Sequence, residues 1–222
     1  MCRVALALSA AVVLLANTEA FAQDRLAPIP RVVLDLHGII PVFPNDNAQL
    51  AASRTVSTDP PRPLSVGELP GPGLGARVGV HVYVFKWKAI TLGLGGEVFS
   101  ARSAGTPPEG SDGLVPVTER LTSADGQVSF NFGSAHGWSY ISGGLGRSQW
   151  AILPAGQSAM SADIDTLPTT NYGGGAHWSI KRHLGFSLDV RLYEIQPGVA
   201  TIAGPGSPRT RLLVFGAGIF LK

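Results

Sequence analysis

The chain has almost no cysteine. Its single cysteine, Cys2, falls in a leader expected to be removed, so the mature chain has neither disulfides nor thiolate chemistry. Charge is scarce as well: Asp, Glu, Lys and Arg make up 14% of 222 residues, for a formal net charge of +2. A near-neutral chain with no basic run gives no electrostatic case for nucleic acid. Long hydrophobic runs are missing too. No stretch after the leader approaches the ~18 uninterrupted apolar residues of a transmembrane helix.

Met1 to Ala22 has the features of a secretory signal peptide. Arg3 gives the positive start, Val4 to Ala16 the apolar run, and Ala20-Phe21-Ala22 an A-x-A cleavage pattern. A helix over that run rises only about 20 Å, too short for a ~30 Å hydrocarbon core. The expected organisation is a signal peptide over 1–22 and one domain over 23–222.

Glycine and alternation are what the chain has in quantity. It carries 28 glycines. From Leu74 to Ser100, Leu74, Ala76, Val78, Val80, Val82 and Val84 alternate with Gly75, Arg77, Gly79, His81 and Tyr83. Ile90, Leu92, Leu94, Gly96 and Val98 then alternate with Thr91, Gly93, Gly95, Glu97 and Phe99. Side chains on a strand point to alternate faces, so this is a hairpin with one unbroken apolar face and one mixed face. A turn over Lys86-Trp87-Lys88 would pair Phe85 with Ala89 and set Arg77 directly opposite Glu97. Other strands are expected at Arg31–Val42, Gln127–Phe132, Trp138–Gln149, Thr170–Ile180, Leu184–Tyr193 and Arg211–Lys222.

The connections alternate in length. Residues 43–72, 102–126, 151–168 and 196–208 are long, Pro-rich or Gly-rich, and without periodicity, while 133–137 and 181–183 are short turns. Long loops on one rim and tight turns on the other point to an all-β fold, an eight-stranded antiparallel up-and-down transmembrane β-barrel. Trp87, Trp138 and Tyr140 toward the turns, and Phe99, Trp150, Tyr172 and Tyr193 toward the loops, would form two interfacial girdles. The alternative is a secreted β-sandwich or lipocalin-like barrel, whose outer face should be richer in Lys, Glu and Thr.

The leader, the eight strands and the alternating loops resemble the small eight-stranded outer-membrane barrels of the OmpA/OmpX type. Tyr140-Ile141-Ser142-Gly143-Gly144-Leu145-Gly146, Asn171-Tyr172-Gly173-Gly174-Gly175-Ala176 and Leu184-Gly185-Phe186-Ser187-Leu188-Asp189-Val190-Arg191 look like the generic outer membrane protein β-barrel domain. The resemblance covers essentially all of the mature chain and implies an outer-membrane location. It departs at the end: such barrels usually close on an aromatic residue, where this chain has Phe220-Leu221-Lys222.

The polar residues expected to face the lumen are Asp35, His37, Arg77, His81, Glu97, Gln127, Asn131, His177, Asp189 and Arg191. Buried charges need partners. Arg77–Glu97 is one expected pair, and Asp189 with Arg191 is expected to join a network with Asp35. Such a network fills and fastens a narrow barrel; the functional alternative is a gated polar path. His177-Trp178-Ser179 with Glu194 resembles the His-x-Ser and downstream Glu of outer-membrane lipid A deacylases. However, Ile180 stands where that family has Asn, and Glu194 has outward parity. His37, His81 and His177 come from separate strands without metal-ligand spacing, and Gly93-Leu94-Gly95-Gly96 precedes no helix and is not a phosphate loop. No metal, cofactor or catalytic residue is therefore expected. The reading is a non-enzymatic barrel in outer-membrane lipid with a structural or surface-contact role, its four long loops open to an extracellular partner. The alternatives are a lipid A deacylase-like enzyme or a small-solute channel.

Overall fold

The computed structural model describes residues 27–222 apart from 57–59, 108–109, 111–112, 159–162, 164–165 and 201–205. The leader expected over 1–22 lies outside the described residues. Along the chain come β1 (Val32–Val42), the short helix α1 (Ala48–Ala52), and the two-residue strands β2 (Thr55–Val56) and β3 (Arg62–Pro63). They are followed by β4 (Leu74–Trp87), β5 (Ile90–Gly105), β6 (Val117–Ser134), β7 (Gly137–Pro154), β8 (Leu167–Ser179), β9 (Leu184–Ile195) and β10 (Thr210–Leu221). Eight strands pair antiparallel with their neighbours in sequence, and β1 pairs with β10 to close the barrel, while β2 and β3 form a separate small ribbon.

Closure leaves no edge over the part of the wall where all eight strands pair, as a lipid environment requires; above it Ser103–Gly105 of β5 and Gln149–Pro154 of β7 pair only with β6. Val78, Val80, Leu94, Val98, Val128, Phe130, Leu188 and Ile219 point outward and are exposed. No helix among the described residues is long and apolar enough to cross a membrane.

In β5, β6 and β7 the expected strands were too short. The segments 102–126 and 151–168, read as loops, contribute Arg102–Gly105, Val117–Gly126 and Ala151–Pro154 to the wall, leaving connections of 106–116 and 155–166. An 18-residue strand extends about 60 Å at 3.4 Å per residue, well beyond the bilayer. Its phase of polarity changes on the way. Near the turns, β6 shows Val128 and Phe130 outward and Gln127, Ser129 and Asn131 inward. Near the loops it shows Thr118, Arg120 and Thr122 outward and Val117 and Leu121 inward. The long-loop end is therefore built like a water-soluble barrel, apolar inside and polar outside.

The hairpin turn also differs. Trp87 pairs with Ile90 around the two residues Lys88 and Ala89, with Lys88 at φ 52°. Two-residue turns with positive φ match the twist of the flanking strands. The register then shifts between Tyr83 and Phe85. That irregularity keeps the Val-rich face of β4 aligned with the apolar face of β5, because a one-residue offset swaps faces. Beyond it Arg77 pairs with Phe99, and Gly79 with Glu97. Arg77 is thus diagonal to Glu97 rather than opposite.

The girdle reading fails for most of its members. Trp138, Tyr140, Phe99, Trp150 and Tyr193 are buried inside the barrel, and only Trp87 and Tyr172 face outward and are exposed. Position near a strand end was the wrong criterion; parity decides the face, and these five have inward parity.

The segment 43–72 is not a structureless loop. Asn47 caps α1 by accepting from the Leu50 N–H at 3.0 Å. Phe43, Leu50, Val56, Leu64 and Leu69 from this segment pack onto Phe99, Leu121, Trp150, Ile152, Tyr193 and Leu212 from the wall. The first connection thus folds back into the barrel mouth.

Candidate functional site

The lumen is filled in three layers. At the short-turn end Ile29, Val33, Tyr83, Trp138 and Phe220 form an apolar floor, with Trp138 edge-on to Phe220 at 5.1 Å and to Tyr83 at 6.1 Å. At the long-loop end the mouth cluster forms a roof. Between them lie all ten residues that the sequence pattern placed inward, each of them buried.

Two ionic groups share the middle layer. In one, Arg77 Nη2 lies 2.5 Å from Asp189 Oδ2, and Arg191 Nε 3.1 Å from the same oxygen. Glu97 stands 3.7 Å from Arg77 Nε and 3.7 Å from Arg191 Nε. Its two oxygens accept from Tyr193 Oη at 2.5 Å and Gln127 Nε2 at 2.9 Å. In the other, Asp35 gathers three histidines: His177 Nε2 at 2.9 Å, His81 Nε2 at 3.5 Å and His37 Nε2 at 3.7 Å. His37 connects the groups, 3.7 Å from Asp189 and in contact with Arg77. Arg77 and Glu97 are thus in ion-pair range, but Arg77's nearer carboxylate is Asp189. Asn131 stands apart, donating to the Thr91 carbonyl at 3.0 Å and Ser129 Oγ at 2.9 Å.

Glycines make room for these side chains. A Cβ at Gly216 would collide with Asp189 and Arg77, at Gly218 with His37, at Gly173 with Arg191, at Gly175 with Asp189 and at Gly95 with His81. The glycine richness of the inward face is therefore a mould for large charged neighbours.

Three participants escaped the sequence reading. Asp125, opposite Glu97 in register, lies in a segment read as a loop. Ser187 is uncharged and gave no signal, yet it bonds His37 Nε2 at 2.6 Å. Tyr140, read as a girdle residue, donates to Asp189 Oδ2 at 3.4 Å.

Ser187, His37 and Asp189 together have the composition of a hydrolytic triad, but the proton placement is wrong. Arg77 donates to His37 Nδ1, and a guanidinium has no acceptor. Nδ1 must therefore accept, leaving the ring proton on Nε2, where it is donated to Ser187. His37 cannot take the serine proton. The gap beside His81, Tyr140 and His177 is also too small to admit water. The motif weighed in sequence is dispersed. His177 is stacked on Trp138 at 4.5 Å, and Ser179 donates to the Ala135 carbonyl at 2.6 Å and accepts from Lys222 Nζ at 2.5 Å. Glu194 faces outward, bridging Arg209 and Arg211. Despite their convergence on Asp35, the histidines form no metal-holding group, and none occurs among the described residues.

A second polar set lies in the mouth. Arg54 from the first connection meets Asp163 at 2.5 Å, both buried. Glu68 receives both terminal nitrogens of Arg62, at 2.7 and 2.8 Å, and the backbone N–H groups of Ser65 at 2.7 Å and Val115 at 2.8 Å. The first connection is thus pinned to those after β5 and β7. Glu119, fully buried on β6 beyond the outward Arg120, accepts from Trp150 Nε1 at 3.2 Å.

A closed eight-stranded wall, apolar outside and packed with paired charges inside, is the fold of a small outer-membrane β-barrel. The chain is similar to several solved structures. Neisserial surface protein A superposes with a TM-score of 0.52 at 11% identity, covering 87% of this chain and 97% of that one. OprG from Pseudomonas aeruginosa gives 0.47 at 10% identity over 88% and 97%, and AlkL, solved in lipid bilayers, 0.42 at 12% over 88% and 90%. In sequence, the chain matches no family model and no curated relative.

Proposed function

We propose that this protein is a non-enzymatic barrel of the outer membrane, delivered there by a cleaved leader, with a structural or surface-contact role. The observation that carries the reading is the continuous filling of the lumen. Among the described residues an apolar floor, an ionic middle and an apolar roof fill it, and the gap beside His81, Tyr140 and His177 has no space for a water-sized molecule. An eight-stranded barrel has an interior only wide enough for its own side chains. Contacts with other molecules are then made by the outer wall with lipid and by the surfaces of the four long-loop connections with an extracellular partner.

Membrane fractionation combined with a heat-modifiability gel tests the location. The expected result is a protein in the outer-membrane fraction whose mobility shifts on boiling; a soluble periplasmic protein with no shift overturns it. Planar-bilayer recording tests the closed lumen, with no discrete conductance expected. His177→Ala and Ser179→Ala test the enzyme alternative: envelope lipid is expected to be unchanged in both, and altered acylation in either would reinstate it.

A further inference from the structure

On the outer face of β5, β6 and β7 three arginines stand without a carboxylate among the described residues. Arg102 and Arg120 are direct cross-strand partners. Arg147 projects from β7 opposite Ala124, and all three are exposed. Among the described residues none of them has Asp or Glu within ion-pair range. Arg102 donates only weakly, to Thr118 Oγ1 at 3.5 Å. Like charges directly opposite on one sheet face repel. The opposite wall manages the same problem differently: there Glu194 bridges Arg209 at 2.8 Å and Arg211 at 2.9 Å.

Toward the short-turn end, the same wall bears a groove of about 710 Å³ on its lipid-facing side. Its floor is Gly96 and Gly126, outward-facing cross-strand neighbours. Val80, Val98 and Leu145 border it, and Arg147 stands at its head. Bare sheet between larger apolar side chains leaves a channel along the strands with Arg147 at its upper end, and the Arg102–Arg120 pair stands level with Ala151, four residues farther along β7 toward the loops. The order along the wall is an apolar groove, then one cation, then two.

We propose that this wall binds a lipid carrying two phosphates and several acyl chains, the chemistry of lipid A, with phosphate on Arg102 and Arg120, a second phosphate on Arg147, and acyl chain in the groove. The proposal rests on the outer-membrane reading above. Guanidinium groups bind phosphate oxygens in bidentate fashion and are the preferred side chain for that task. An arginine near the membrane interface costs only about 0–1 kcal/mol, against about 2–4 at the midplane, and the long Arg147 side chain can reach toward the headgroup level. Three cations on two levels exceed what a single phosphodiester would neutralise, which favours a diphosphorylated headgroup over a phospholipid.

The test uses the folded full-length mature protein in zwitterionic micelles, with bound lipid read by native mass spectrometry. Diphosphoryl lipid A and phosphatidylglycerol are the probes. Wild-type protein is expected to retain lipid A about tenfold over phosphatidylglycerol, and the triple variant Arg102→Gln/Arg120→Gln/Arg147→Gln to lose about tenfold, roughly one charge-assisted contact. The corresponding triple Lys variant should recover most of the binding. Gly126→Leu fills the groove floor without strain, since a Cβ there meets only the Gly95 carbonyl at 3.9 Å; it should weaken lipid A retention with the charges intact. Equal retention by wild type and the triple Gln variant, equal retention of the two lipids, or an unaffected Gly126→Leu overturns the proposal. A heat-dependent mobility shift verifies folding of each variant. A wild-type protein that never shows the shift counts against the outer-membrane reading, whereas one that shifts but retains no lipid A counts against this site.

Discussion

Arg77 on β4 and Asp189 on β9 meet at 2.5 Å across the lumen, tying together two strands that are not neighbours in the wall. Each is buried, so neither can be compensated by water. Removing one partner of a buried pair costs about 3–5 kcal/mol because the other charge is left stranded. Asp189→Leu is expected to lose that much in urea unfolding, followed as loss of the compact unheated band. The double replacement Arg77→Met/Asp189→Leu should recover most of it. Equal losses in the single and double variants would show that the pair is not a unit.

Glycines inside and outside the wall should respond oppositely. Gly216→Val drives a side chain into Asp189 and Arg77, and overpacking of this kind costs about 1–3 kcal/mol. Gly126→Val faces outward into open space and should be neutral. The comparison is made by thermal loss of the unheated band for both proteins in the same detergent.

The mouth should carry an acid-side pH dependence. Burial by itself would raise Glu68, but the Arg62 fork and the Ser65 and Val115 N–H groups outweigh it and hold the carboxyl at about 2. Its stabilisation is therefore complete above the ordinary 4.5 and fades as pH falls toward 2. Hydrogen exchange over residues 43–73 should quicken as pH falls from 4.5 toward 2, after correction for intrinsic rates. Glu68→Gln should abolish that acid-side change.

Arg54 and Asp163 link two connections rather than two wall strands. Arg54→Ala should therefore release the first connection without opening the barrel. The expected readout is new proteolytic cleavage within 43–73 while the heat-modifiable shift persists. Simultaneous loss of the shift would show that the roof and the wall unfold as one.

Barrel topology was legible because each crossing strand keeps one polarity phase for most of its length in lipid. The ten inward residues could be named for the same reason. Four features were missed. The upper parts of β5–β7 reverse phase at Arg102 and Arg120, so a pattern tuned to outward apolar residues stops there and reads loop. The Arg77 register depended on a bulge next to Val84, which no local residue type announces. The inward turn of Trp138 and Trp150 was available from parity, but strand-end position was read instead. Arg54, Glu68, Glu119 and Asp163 gain partners only when separate connections meet over the mouth, and no spacing along the chain encodes that meeting.

The seam between β1 and β10 closes the wall, and the middle layer likewise joins β1 to strands far along the chain. Asp35 meets His177 at a separation of 142 residues, and His37 meets Ser187 at 150. Until β8 and β9 arrive, Asp35 and His37 lack these counterparts, and bare hydrocarbon would be intolerable to them. Assembly that keeps the inner side of the nascent sheet wetted until β9 is in place spares them that exposure. A nascent chain interrupted before β8 would then leave a wet, open trough instead of a nearly finished cylinder.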